Sequence, residues 1–173
     1  ARSVSGTLDC VILNAGRVLP EREALGLTEG VAASLALHVL GPVIFTHSLI
    51  AAGKLSKPCT IMYVSSETTR AVPAMGVERA TVPRDKATLG RLLHGIRDEE
   101  WDSDIAEYGR SKLIGTLWAQ SLARKTRELT VFAISPGSTT GTEVHRHHIP
   151  VIKHTMDFLN SYVLSNVGIS HSL

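Results

Sequence analysis

The chain reads as an α/β protein built on a parallel sheet, and three observations predict it. Short apolar runs rich in branched residues occur at Leu8 to Leu13, Ile61 to Val64 and Val131 to Ile134. Helix-like stretches separate them, and each run leads into turn residues, as expected of parallel strands joined by helical crossovers and covered on both faces. About three strands are expected, flanked by helices.

The elements follow in order. After the first run, Thr28 to Ala52 predicts a helix: Thr28 can cap it, apolar residues recur at Leu37, Leu40 and Ile44, and Gly53 can end it. Gly41-Pro42 should kink it, because proline lacks the amide hydrogen that the helix needs. Beyond the second run, Leu89, Leu92, Leu93 and Ile96 mark a short amphipathic helix. A longer helix is expected over Tyr108 to Lys125, with Leu113, Leu117 and Leu122 supplying part of its apolar surface. The stretch from Ser135 to Thr142 reads as loop, and Met156, Leu159 and Val163 suggest a last helix. No repeat or linker interrupts the chain, so residues 1–173 form one domain.

Composition narrows the function classes. With 173 residues, 43% hydrophobic and 20% charged, the chain is long enough for one real core. A net charge of +2 and few aromatics give no electrostatic case for nucleic acid. No uninterrupted apolar stretch approaches the roughly 20 residues of a membrane helix, and Ala1-Arg2-Ser3 starts no signal-peptide pattern. The expectation is a cytoplasmic protein without a membrane-spanning segment. Cys10 and Cys59 fall within strand-like runs and are expected to be buried, reduced thiols.

The chemistry-bearing residues are Tyr108, Lys112 and Ser66. A phenol titrating near about 10 needs a nearby cation to carry protons at neutral pH, and residues four apart on a helix share one face. Lys112 can supply that cation to Tyr108. Ser66 follows the second run, at the C-terminal end of a strand, where open α/β sheets place their ligands. His145, His147 and His148 are clustered, but only Glu143 accompanies them at ligand spacing, so a surface loop is preferred to a metal site. No Gly-x-Ser-x-Gly elbow surrounds Ser66, which weighs against a serine hydrolase. The arginines and lysines between Arg70 and Arg97 are interspersed with acids and read as a solvated face.

Taken together these residues resemble the short-chain dehydrogenase/reductase superfamily, over nearly the whole chain. Asn14-Ala15-Gly16 matches the family's strand-ending Asn-Ala-Gly, and Ser66 matches the second serine of its catalytic pair. Tyr108, Ser111 and Lys112 match Tyr-x-x-Ser-Lys, and Pro136-Gly137 matches the turn before a Thr or Ser that contacts the nicotinamide side of the cofactor. Thr142 is the first choice for that contact, with Thr139 and Thr140 behind it.

The resemblance implies an incomplete Rossmann-type three-layer sandwich and hydride transfer between NAD or NADP and a small-molecule carbonyl or secondary alcohol. It also implies that Lys112 lowers the pKa of Tyr108 and holds the nicotinamide ribose. Residues 67–107 correspond to an insertion between the catalytic Ser and Tyr, as in members similar to retinol dehydrogenases and fungal reductases, and residues 138–160 to a substrate lid. The two long helices offer a homodimer surface.

Two departures accompany the resemblance. Where the family carries an active-site Asn, eight residues beyond Gly30, this chain has His38. An imidazole there either serves the proton relay or is a core residue satisfied by a backbone partner. The glycine-rich phosphate turn that would precede the first run is absent, as is the residue that selects NAD or NADP. The expectation is a fragment lacking roughly 70 residues of cofactor-binding half, at ~30 residues per βαβ unit, and lacking the last strand, inactive as this chain and an enzyme only at full length. Leu8 to Leu13 then becomes an edge strand. A non-catalytic scaffold or interaction module derived from this family is the alternative.

Overall fold

The structure is a computed structural model, and it describes residues 5–28, 30–71, 73, 78–96, 103–140 and 170–172. The central feature is a three-stranded parallel sheet of β1 (Leu8–Leu13), β4 (Leu55–Val64) and β5 (Leu129–Ile134), in the order β1-β4-β5. This is the Rossmann-type α/β class that the sequence predicts, and β1 lies at an edge. Register decides what the sheet can do. Leu13 pairs with Tyr63 and Val64 pairs with Ile134, so all three strands end at one level. Asn14, Ser65 and Ser135 therefore leave the sheet side by side, and the Ser65 amide donates to the Ile134 carbonyl at 2.7 Å.

Between β1 and β4 the chain forms α1 (Glu21–Ala24), a hairpin of β2 (Leu27–Thr28) and β3 (Val31–Ala32), then α2 (Ala33–Leu35) and α3 (Gly41–Ala51). Thr28 is thus a strand residue and not the helix cap expected of it. Gly30 at φ +78° makes the reversal that starts the hairpin, and helix begins only at Ala33. A π-helical turn, Ala36–Leu40, joins α2 to α3 where a kink is expected. Its cause is Pro42: an α-helix would bond residue 42 N–H to the His38 carbonyl, and proline has no such hydrogen. Gly53 closes α3 at φ +61°, as expected.

The span Ala33–Ala51 is long and apolar enough, by length and composition alone, to cross a membrane, contrary to the reading that no apolar stretch approaches that length. Part of it packs into the core. Leu49 from α3 joins Ala119 and Leu122 from α5 (Asp104–Lys125) over Val11, Leu13, Cys59, Ile61 and Tyr63 of the sheet. Each fully buried Leu or Ile contributes about 1.5–3 kcal/mol of transfer free energy. A second cluster packs Leu92 of α4 (Lys86–Leu93) on Ala32 and Leu35.

Strand alternation then fixes the other face of the sheet. Ile12 is 59% and Phe132 41% exposed, and Cys10 is exposed on the same side as Ile12. Cys10 therefore departs from the buried thiol expected of it, because the helices that pack on the sheet among the described residues lie on the face of Val11 and Leu13. Cys59 is buried as expected. Leu117 likewise turns outward, at 46% exposure, while Leu122 enters the core.

α5 starts one turn before Tyr108. Ser103 caps it by accepting from the Ala106 amide at 3.1 Å, with Asp104 and Glu107 in the first turn and Arg124 and Lys125 in the last, matching the helix dipole. Beyond β5, residues Ser138–Thr140 form β6, paired with β7 (Ser170–Ser172), so part of the expected loop is strand. The other calls on this end, the lid, the His145 cluster, the last helix and Thr142, lie outside the described residues.

Candidate active site

Helix α5 crosses behind the level strand ends and delivers Tyr108 and Lys112 to them, one turn apart. Lys112 is 2% exposed, and its ammonium donates to the Val64 carbonyl at 2.8 Å. It lies 5.4 Å from the Tyr63 ring centroid and 5.6 Å from that of Tyr108, a cation between two π faces. Burial lowers its pKa to about 8. Gly16 makes room for it. A Cβ at Gly16 would stand 2.9 Å from Lys112 Nζ and 3.0 Å from the His38 ring, so only glycine lets the end of β1 approach this closely.

Tyr108 packs edge-on against His38, with ring centroids 5.2 Å apart and planes at 88°. Burial pushes its phenol up to about 12, and a hydrogen bond with Ser66 offsets part of that rise. The lowering of this pKa expected from Lys112 does not appear. The ammonium is engaged by the Val64 carbonyl, and desolvation dominates the phenol. Ser66 stands one residue past the adjacent Ser65, with its hydroxyl accepting from the Thr68 amide at 3.3 Å and the Thr68 hydroxyl at 3.0 Å. Those bonds start the turn Glu67–Thr69 and fix the serine beside the phenol.

His38 is 1% exposed and satisfied on both ring nitrogens. Its Nε2 accepts from the Arg17 amide at 3.3 Å, so Nδ1 carries the hydrogen and donates to the Ser111 hydroxyl at 2.8 Å. Ser111 in turn donates to the Tyr108 carbonyl at 2.8 Å. Burial first, and the neighbouring Lys112 charge second, lower the imidazole to about 3, so it is neutral. The orphaned His38 carbonyl is also bonded: Tyr63 donates its hydroxyl to it at 2.9 Å. Sequence reasoning missed this role of Tyr63. The available signal was Gly115, where a Cβ would overlap the Tyr63 hydroxyl and sit 3.0 Å from the His38 carbonyl oxygen.

The structure therefore brings Gly16, His38, Ser66, Tyr108 and Lys112 together. Asn14 and Ala15 are exposed at the end of β1. Pro136 and Gly137, the latter at φ +75°, follow β5, which β4 separates from β1 in the sheet order. Thr139 lies in β6 and Thr142 outside the described residues. Among the described residues, no group of three His, Cys, Asp or Glu side chains could hold a metal ion.

A phenol, an ammonium and a serine hydroxyl at the C-terminal ends of a parallel sheet define a Rossmann-type site suited to proton transfer at a carbonyl. Known proteins agree with that class. No family model matches the chain. The dehydrogenase/reductase SDR family member 13 of Bos taurus is 29% identical over 118 residues, which cover 67% of this chain and 27% of that relative.

Among solved structures, a short-chain dehydrogenase family protein from Francisella tularensis subsp. tularensis SCHU S4 superposes with a TM-score of 0.53 at 19% identity, over 96% of this chain and 52% of that one. The angucycline C-6 ketoreductase LanV, solved with bound NADP, gives 0.57 at 21% identity, over 96% and 51%. A short-chain dehydrogenase/reductase from Saccharomyces cerevisiae gives 0.51 at 16%, over 91% and 54%. In sequence and in fold, the relatives of this chain are short-chain dehydrogenases/reductases. The chain spans about half the length of these structures and about a quarter of the curated relative.

Proposed function

We propose that this chain carries the catalytic half of a short-chain-type oxidoreductase, which moves a hydride between NAD or NADP and a carbonyl or secondary alcohol. The observation that carries this reading is the convergence of Ser66, Tyr108 and Lys112 at level strand ends. At neutral pH Tyr108, with its pKa near about 12, holds its proton and can give it to a carbonyl oxygen. Lys112 is cationic there and lies 5.6 Å from the Tyr108 ring centroid, within a side-chain rotation of stabilising the resulting phenolate once it leaves the Val64 carbonyl. The Ser66 hydroxyl polarises the same carbonyl.

The residues present fit one end of a nicotinamide cofactor. Gly16 has no side chain and lies against Lys112, which leaves backbone and an ammonium for a ribose, with Asn14, Ala15, Pro136 and Gly137 at the neighbouring strand ends. When bound, the nicotinamide supplies or accepts the hydride. LanV, with its bound NADP, supports the same general chemistry. No glycine-rich phosphate turn occurs in the sequence, so the pyrophosphate end finds no counterpart in this chain.

The test is Tyr108→Phe in the full-length protein, assayed by NADH and NADPH oxidation over a carbonyl panel, with cofactor affinity measured by fluorescence titration. Turnover should fall by about 10²–10⁴-fold with affinity nearly unchanged. Undiminished turnover would remove Tyr108 as the acid.

One observation favours a second reading, a non-catalytic scaffold. Both ring nitrogens and the carbonyl of His38 are already bonded, so this residue offers no free group to a proton relay. Saturable nicotinamide binding together with carbonyl reduction would eliminate the scaffold.

A further inference from the structure

A cavity of about 450 Å³ opens beside Ser66, on the side of the strand ends away from His38, and the residues around it are unlike those of a structural void. Leu113, Ala133 and Ile134 give it apolar walls, and Ser65, Ser66, Thr69, Thr116 and Ser135 contribute hydroxyls. Arg70 and Arg79 also line it, and among the described residues no carboxylate does. That volume falls within the roughly 300–1,000 Å³ of small-molecule sites.

The polar groups sort into two kinds. Ser65 and Thr116 bond each other at 2.7 Å and Thr116 bonds the Lys112 carbonyl at 2.8 Å, so these hydroxyls are satisfied by the fold. Ser135 Oγ is buried and has no partner. A buried hydroxyl without a partner costs stability unless something fills the site. The two guanidiniums differ from it in being exposed to solvent, and among the described residues neither is engaged in an ion pair, so both are available to an anion. Arg70 is placed by the turn that Ser66 caps, so the candidate carbonyl-polarising serine and one of these cations belong to a single local structure. Both arginines lie between Ser66 and Tyr108 in the sequence.

We propose that this cavity is an anion-binding subsite, in which Arg70 and Arg79 hold a carboxylate or phosphate carried by the carbonyl substrate. The inference rests on the oxidoreductase reading for the carbonyl, and on the cavity alone for the anion. Arginine suits the task because its fork of N–H donors matches the oxygens of either group.

The experiment compares 4-carboxybenzaldehyde with its methyl ester, which keeps the aldehyde and removes the charge. Affinities of the protein and of the R70Q/R79Q double variant are measured by saturation-transfer NMR, and turnover of both probes with NADH and NADPH. 4-Formylphenyl phosphate, run alongside, tells a phosphate-selective site from a carboxylate-selective one. The expected result is an anionic probe bound about tenfold or more tighter than the ester, with that preference lost in the double variant. Equal affinity for acid and ester, a preference that survives the double substitution, or no binding of any probe overturns the subsite. An intact anionic preference together with no turnover of any probe by the full-length protein overturns the oxidoreductase reading instead, and leaves the anion site standing.

Discussion

Gly115→Ala is the sharpest structural test of this site, because ordinary helix energetics and the packing around His38 predict opposite signs. Replacing glycine by alanine inside a helix gains about 1 kcal/mol from propensity alone. At Gly115 the added methyl would overlap the hydroxyl and the ring edge of Tyr63, and stand 3.0 Å from the His38 carbonyl oxygen. Tyr63 is 1% exposed and has no open space to swing into. Overpacking of this kind costs about 1–3 kcal/mol. Displacing the hydroxyl also strands the carbonyl that Pro42 already leaves without its helical donor, at about 1–3 kcal/mol.

The net expectation is destabilisation by about 3 kcal/mol, or a melting temperature lower by about 6–12 °C for a chain of this size. Gly90→Ala in α4 is the control, since nothing lies within 4 Å of a Cβ there, and it should stabilise by up to about 1 kcal/mol. Urea unfolding followed by far-UV circular dichroism measures both. The double variant with Tyr63→Phe should lose less than the sum of the two singles, because both act on one hydrogen bond. If Gly115→Ala proves as stable as the unsubstituted protein, the proposed lock between Tyr63 and His38 does not exist.

Burial lowers Lys112 from 10.5 to about 8, so its unfolded form binds the proton more tightly. Its contribution is present above 10.5 and is lost as pH falls toward 8, and the stability of the native protein relative to Lys112→Met should rise across that window by at most about 3 kcal/mol. A flat difference in paired urea titrations would contradict this. His38, lowered from 6.5 to about 3, contributes stability that is full above 6.5 and lost toward 3, so His38→Gln should flatten the acid limb of the stability profile. An unchanged acid limb would mean that His38 is not buried as a neutral ring. Cys10 should be alkylated under native conditions well before Cys59, as read by mass spectrometry after brief iodoacetamide treatment, and equal labelling would contradict the one-sided packing of the sheet.

Much of the sheet and half of the site were legible because they depend on local pattern. The three apolar runs became the three strands, and the four-residue spacing of Tyr108 and Lys112 put them on one helix face. What failed depended on contacts distant in sequence. Thr28 offers a good cap, but Gly30 reverses the chain, and the short hairpin is held by the Ala33 amide on the Gly26 carbonyl and the His94 ring on the Gly30 carbonyl. Pro42 was readable as a kink, whereas the carbonyl it orphans finds its donor on a strand 25 residues away. Cys10 was misjudged because an apolar run does not reveal which face the helices cover. Arg70 and Arg79 read as members of a solvated face and are exposed, but the sequence did not show that both line one cavity beside Ser66.

The three titratable residues of the site share one cause, and that cause has a direction. Desolvation is the largest influence on Tyr108, Lys112 and His38 alike. It keeps the phenol protonated, the imidazole neutral and the ammonium near the edge of titration, which leaves one proton donor and one cation facing the strand ends at neutral pH. A raised phenol pKa means a weaker acid: giving the proton to a carbonyl oxygen forms the same phenolate that alcohol oxidation starts from, so burial opposes proton transfer in both directions. A positive charge close to the Tyr108 oxygen would offset that cost. Lys112 has the charge, but the Val64 carbonyl engages it at 2.8 Å. Whatever weakens that bond would turn the lysine toward the phenol and ease reduction and oxidation alike.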